Sequence, residues 1–162
     1  MYSELKQVEI PLVKTLEKLD WKYIKSAELE QLRTFDNPFV ITYLKDAIIL
    51  LNQDKGVNAT HADDIIHKLQ RVETNEEFSK WIRGEKSHKL NQGEKAVTIR
   101  LIDLDEPANN KYYVTNQFSQ TITNGVLKDE KHIRPDVVLL VNGIPTTVIE
   151  CKVIAKEGSH WQ

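Results

Sequence analysis

Near residue 96 the spacing of apolar residues changes from steps of three and four to steps of two, and that change leaves few architectures open. Before it, Leu5, Val8, Leu12, Leu16 and Leu19 recur at helical steps. Ser3 can cap that helix, but Pro11 lacks an N–H and has a fixed φ, so the element is expected to be kinked or to consist of two short pieces. Phe39, Val40, Tyr43, Leu44, Ala47, Ile48 and Leu51 form a second stripe, stopped by a polar stretch around Gly56. Thr60, three residues before Asp63, approximates a capping box for a third helix that buries Ile65, Ile66, Leu69 and Val72. Asn75 opens a fourth helix, which buries Phe78, Trp81 and Ile82, ends at Gly84 and leaves 85–94 as a polar loop. After the change, β-rich runs follow at 96–102, 112–118, 136–141 and 146–154, with 105–110 and 128–131 as surface connections. Helices first (about 3–84) and strands later (about 96–155) predict a single unit in which helices cover a mixed or antiparallel sheet.

Composition narrows the function classes. At 162 residues and 40% hydrophobic, the chain suits one packed domain. Its 22 Lys and Arg against 24 Asp and Glu give no general basic field, so any DNA contact must be local. Cys151 is the only cysteine, which excludes a disulfide framework or a CxxC zinc cluster and fits a reducing cytoplasm. Neither a secretory leader nor an apolar run near the roughly 18 residues of a membrane span is present, so the expectation is a cytoplasmic protein without a membrane partner. His61, His67, His88, His132 and His160 show no HExxH or other metal spacing. Trp21, Trp81 and Trp161 stand at separate helix ends and read as core anchors, not as a base-stacking platform.

The chemistry concentrates in the stretch from Arg134 to Lys152, two strands joined by a turn. Asp136 opens the first strand, while Glu150 and Lys152, two apart, share one face of the second, with Cys151 pointing to the other face as a small core residue. A Glu and a Lys within so apolar a run are costly to bury unless paired or holding a metal. Two carboxylates converging from neighbouring strands make a hard-oxygen site suited to Mg²⁺, completed by a backbone carbonyl, water and phosphate oxygens. Such a site can hydrolyse a phosphodiester, with Lys152 orienting the nucleophile or neutralising charge on the phosphate. On spacing alone, the ordinary alternative is an exposed strand face with a cross-strand ion pair.

Loop parity supplies a geometric expectation. A plain two-residue Asn142-Gly143 turn would set Asp136 opposite Ile149 and send Glu150 to the far side. A three-residue loop of Val141, Asn142 and Gly143, with Gly143 left-handed in a bulge, would set Asp136 opposite Val148 and diagonal to Glu150 on one face, and that odd loop, or an equivalent bulge, is the expectation.

Pro135-Asp136, then Glu150-Cys151-Lys152, resembles the PD-(D/E)xK nuclease motif. The surroundings, from Asn109-Asn110-Lys-Tyr-Tyr-Val-Thr-Asn-Gln117-Phe118 through Arg134-Pro-Asp-Val-Val-Leu-Leu-Val-Asn-Gly-Ile-Pro to Val148-Ile-Glu-Cys-Lys, are similar to the N-terminal nuclease region of the restriction (R) subunit of type I restriction-modification enzymes. Ser3-Glu4, Val8-Glu9-Ile-Pro11-Leu and Leu19-Asp20-Trp21 resemble that family's opening helix, so the likeness runs nearly end to end. It turns the reading of Glu150 and Lys152 from an ion-paired surface to a nuclease site.

The resemblance implies a restriction-endonuclease-like α/β fold: a mixed sheet of about four or five strands with the site at one edge, and the helices of 39–83 as an insertion. It implies a Mg²⁺-dependent DNA endonuclease, with Mn²⁺ able to substitute. Asp136, Glu150 and the Cys151 backbone carbonyl would hold the metal, and Lys152 would be the catalytic lysine. Glu9 is the candidate helix carboxylate completing the site, Glu4 the runner-up, and Gln117 a supporting neighbour. Double-stranded DNA and the specificity and modification subunits are the implied partners. No GxxxxGK[ST] phosphate loop occurs, so ATP would act only through motor domains absent here, and the chain reads as a fragment of a larger R subunit that stops before the helix expected after the ExK strand. Asp20 stands where the family usually has glycine, and Cys151 where an aliphatic residue is usual. A non-catalytic assembly or DNA-docking module with the same fold, or another phosphodiesterase of that fold, are the alternatives.

Overall fold

The computed structural model describes residues 8–123 and 130–152. Among these, five α-helices and eight strands form a mixed α/β structure: α1 (Ile10–Glu17), β1 (Lys22–Tyr23), α2 (Ser26–Leu32), α3 (Ile41–Leu51), α4 (Ala59–Leu69), α5 (Asn75–Ile82), β2 (Ser87–His88), β3 (Val97–Thr98), β4 (Tyr112–Asn116), β5 (Gln120–Thr123), β6 (Glu130–Ile133), β7 (Val137–Val141) and β8 (Ile144–Ile149). The main sheet runs β1-β4-β7-β8. β1 pairs with β4 in parallel, and the other two pairings are antiparallel, so the sheet is mixed. β8 is an edge strand, and it leads directly into Glu150.

Alternation along the strands sorts their side chains into two cores. On one face Val114, Val137 and Cys151 pack with Val13 of α1, supported by Leu12, Leu16 and Ile149. On the other, Tyr113, Val138 and Leu140 pack with Ile24, Leu29 of α2 and Val40. α4 and α5 form a further layer, in which Ile65, Ile66, Leu69 and Trp81 enclose Leu44 and Ile48 of α3 together with Ile99, Leu101 and Ile144. The strand half thus supplies residues to the helical core.

Several elements differ from the sequence expectation. Pro11 lies in the first turn of α1, where its missing N–H costs nothing, and a wide π-type turn at Val8 and Glu9 precedes the helix. Ser3 and Glu4 lie outside the described residues. The box capping α4 is Asn58 with His61, not Thr60 with Asp63: the Asn58 side chain accepts from the His61 N–H at 3.1 Å, and His61 Nδ1 accepts from the Asn58 N–H at 3.2 Å. β2 lies within the stretch read as a loop, β3 covers only two residues of the 96–102 run, and β6 begins at Glu130 inside the segment read as a connection. α2 and β1 lie within the helical half and were not anticipated. Trp81 is buried and Trp21 packs on Tyr112 with ring centroids 5.1 Å apart, whereas Trp161 and His160 are not among the described residues.

The β7–β8 hairpin resolves the parity question. Val141 pairs with Ile144, so the turn is the two-residue Asn142-Gly143, with φ of 53° and 81°. The three-residue loop does not form. The pairing slips between Leu139↔Thr147 and Leu140↔Pro145, leaving Thr146 as the extra residue of a bulge. Beyond it Val137 faces Ile149 as the last pair of the ladder, so the same register carried one step further would put Asp136 level with Glu150 and not with Val148. The apex is fastened to both ends of the helical segment: the Val40 N–H donates to the Gly143 carbonyl at 2.9 Å, and Asn142 Nδ2 donates to the Leu101 carbonyl at 2.9 Å.

Candidate active site

Asp136 sits just before β7, where Pro135 is buried and Asp136 itself half-buried. Its Oδ2 accepts the Cys151 backbone N–H at 2.7 Å, which aims the carboxylate at the start of the Glu150-Cys151-Lys152 segment. Cys151 is buried against Val114 and Val137, while Glu150 and Lys152 on either side of it are exposed. That alternation puts the two charged side chains on the face away from α1, as the pleat predicts. Because both are exposed, the burial penalty expected from the apolar run does not arise. Among the described residues no ion pair joins Lys152 to Glu150 or to Asp136.

Glu9 is buried, at 2% exposure. Gln117 Nε2 donates to its two oxygens at 3.2 and 3.0 Å, and Asn116 Nδ2 reaches Oε2 at 3.5 Å. Asn116 Oδ1 in turn accepts from the Tyr23 hydroxyl at 2.7 Å. Burial, then the negative charges of Glu17 and Glu9, push the Tyr23 phenol above its ordinary value, so it stays a donor. Gln117 itself has a left-handed backbone, with φ of 55°, and its N–H donates to the Asp136 carbonyl at 2.8 Å. The next residue repeats the tie, with the Phe118 N–H donating to the Pro135 carbonyl at 3.2 Å.

The predicted residues thus come together in two linked groups. Glu9 joins Gln117, Asp136 joins the Cys151 amide between Glu150 and Lys152, and Gln117 bridges the groups through its main chain. Among the described residues, no three His, Cys, Asp or Glu side chains gather into a metal-binding group. The donor chemistry of the Asp136–Glu150 pair nevertheless suits a hard cation: a carboxylate that accepts one N–H keeps further lone pairs, and Glu150 is open to water. Asn116 and Tyr23 were missed in the sequence. Their signal was the adjacent amide pair Asn116-Gln117 at a strand end, where side-chain amides are costly unless something pairs them.

Among the described residues no helix is long and apolar enough to cross a membrane. No curated protein matches the chain closely enough to be named as a relative. Residues 1–158 match the family described as type I restriction enzyme R protein N terminus. With nearly the whole length matched, the chain belongs to the family of N-terminal regions of type I restriction enzyme R proteins.

Proposed function

We propose that this domain is the Mg²⁺-dependent DNA endonuclease of a type I restriction enzyme R subunit, with the restriction-endonuclease-like form of the mixed α/β fold. The observation that carries the reading is the 2.7 Å bond from the Cys151 N–H to Asp136 Oδ2, which ties the Asp136 carboxylate to the middle of Glu150-Cys151-Lys152. Asp136, Glu150 and the Cys151 carbonyl would hold the cation. When bound, Mg²⁺ would supply an acidified water and a counter-charge for the phosphate. The chain's own residues do the rest. The Cys151 N–H fixes the Asp136 carboxylate, Lys152 orients the attacking water or neutralises phosphate charge, and Gln117 holds Glu9 and the Asp136 peptide in one arrangement. In this reading site choice belongs to the specificity and modification subunits, and ATP to motor domains of the R subunit.

Calorimetric Mn²⁺ titration of the wild-type chain, Asp136→Asn and Glu150→Gln tests this. Asparagine keeps an acceptor for the Cys151 N–H while removing the charge, so lost binding reports the ligand and not a broken turn. Binding is expected in the wild-type chain and lost in both variants. It should also raise the melting temperature of the wild-type chain alone, since a ligand stabilises only the state that binds it. A folded wild-type chain indifferent to Mn²⁺ would favour the non-catalytic docking module, and cleavage confined to branched or single-stranded DNA would favour another phosphodiesterase of the fold.

A further inference from the structure

Arg33 is the anomaly of the molecule. It is 7% exposed, and among the described residues no carboxylate lies within ion-pair distance of it. A buried cation without a counter-ion is costly unless hydrogen bonds replace its hydration. Four neutral acceptors do so. Nη1 donates to the carbonyls of Thr34 at 3.2 Å and Asn37 at 3.0 Å and to Gln120 Oε1 at 3.0 Å, and Nη2 donates to the Ser119 carbonyl. Its Cζ lies 3.7 Å from the centroid of the Phe118 ring, while Nε is buried with no partner. Burial lowers the guanidinium pKa to about 10, with Glu30 opposing, so the group stays charged near neutrality.

These contacts join the chain after α2 to the corner at 118–120. That corner follows directly from Gln117, whose N–H donates to the Asp136 carbonyl, and its first residue, Phe118, donates to the Pro135 carbonyl. We propose that Arg33 is a positioning residue for the candidate active site, holding the 118–120 corner so that Gln117 keeps its left-handed turn between Glu9 and Asp136. This rests on the nuclease reading of that site. A planar fork reaches acceptors in both segments with two separate arms while stacking on Phe118, which a single ammonium cannot reproduce, so lysine is a poor substitute.

The test compares wild type with Arg33→Met, which keeps the aliphatic stem, and Arg33→Lys, by NMR of side-chain amides. Gln117 Nε2 reports the site. Asn52 Nδ2, buried and bonded to the carbonyls of Ile48 and Arg100 at 2.8 Å each, reports the rest of the fold. In Arg33→Met the Gln117 amide is expected to lose its shift and exchange protection while Asn52 is unmoved. Mn²⁺ affinity should fall by roughly tenfold or more, as for other outer-shell losses. If the Met variant does not fold, Arg33→Lys is read by the same pair of amides. An unmoved Gln117, or Gln117 and Asn52 failing together, overturns the proposal. A wild-type chain that binds no Mn²⁺ counts against the nuclease reading, whereas the amide comparison needs no metal and still decides what Arg33 does.

Discussion

Asp20 holds a left-handed backbone, with φ of 65°, at the joint between α1 and β1. Family resemblance puts a glycine there, and the dihedral supplies the reason: a Cβ is strained in that region, least so for Asn and Asp. Asp20→Gly should therefore stabilise the domain by on the order of 1 kcal/mol, read from urea denaturation. His88 carries a different prediction. Its imidazole is buried, its Nδ1 lies 2.9 Å from Lys68 Nζ, and it faces His61 and Asp64 as well. Burial first, then the Lys68 charge, lower its pKa from the ordinary 6.5, with Asp64 opposing. The unfolded chain then binds a proton that the folded chain refuses, so His88 contributes stability above about pH 6.5 and loses it as the pH falls toward the lowered value. His88→Gln should flatten the pH dependence of the melting temperature just below pH 6.5. An unchanged slope would mean that His88 does not titrate there.

Helices α4 and α5 behave as their sequences ask, each starting at a side chain that accepts an N–H: Asn58 for α4 and Thr74 for α5. Asn58→Ala removes half of a reciprocal box and should cost about 1 kcal/mol in chemical denaturation. The long stripes were legible because α3 and α4 each bury four residues on one side. α2 was not: its seven residues bury only Leu29, too little for a period to declare itself. β1 is two residues long and exists because β4 lies beside it in parallel, a tertiary cause that no local pattern contains. The hairpin was legible to the level of parity. The need to bring Asp136 to the side of Glu150 calls for one surplus residue, expected as an odd loop or an equivalent bulge, but nothing in Pro145-Thr146-Thr147 says that the surplus falls there beyond a two-residue turn. Glu9 was legible only through resemblance. Its partner Asn116 sits 107 residues away, beyond the reach of spacing arguments.

For the molecule as a whole, the hairpin apex is the most sensitive point. A Cβ on Gly143 would meet the Val40 carbonyl at 2.6 Å and the Leu44 nitrogen at 3.0 Å, on a backbone already at φ of 81°. Gly143→Ala should cost on the order of 2–4 kcal/mol in denaturation experiments, more than a surface turn would. The cost should fall on the helical layer too, because the turn is gripped by α3's entry at Val40 and by the Leu101 carbonyl. Those two attachments lie side by side in space although some sixty residues separate them in the chain. The helical layer therefore leaves and rejoins the sheet at a single knot, as a bag leaves its drawstring. Closing a loop grows dearer only with the logarithm of its length, about 0.6 kcal/mol for each doubling. Loops between Val40 and Leu101 could thus be lengthened or shortened at little cost while β7 and β8, tied off at the knot, keep their register.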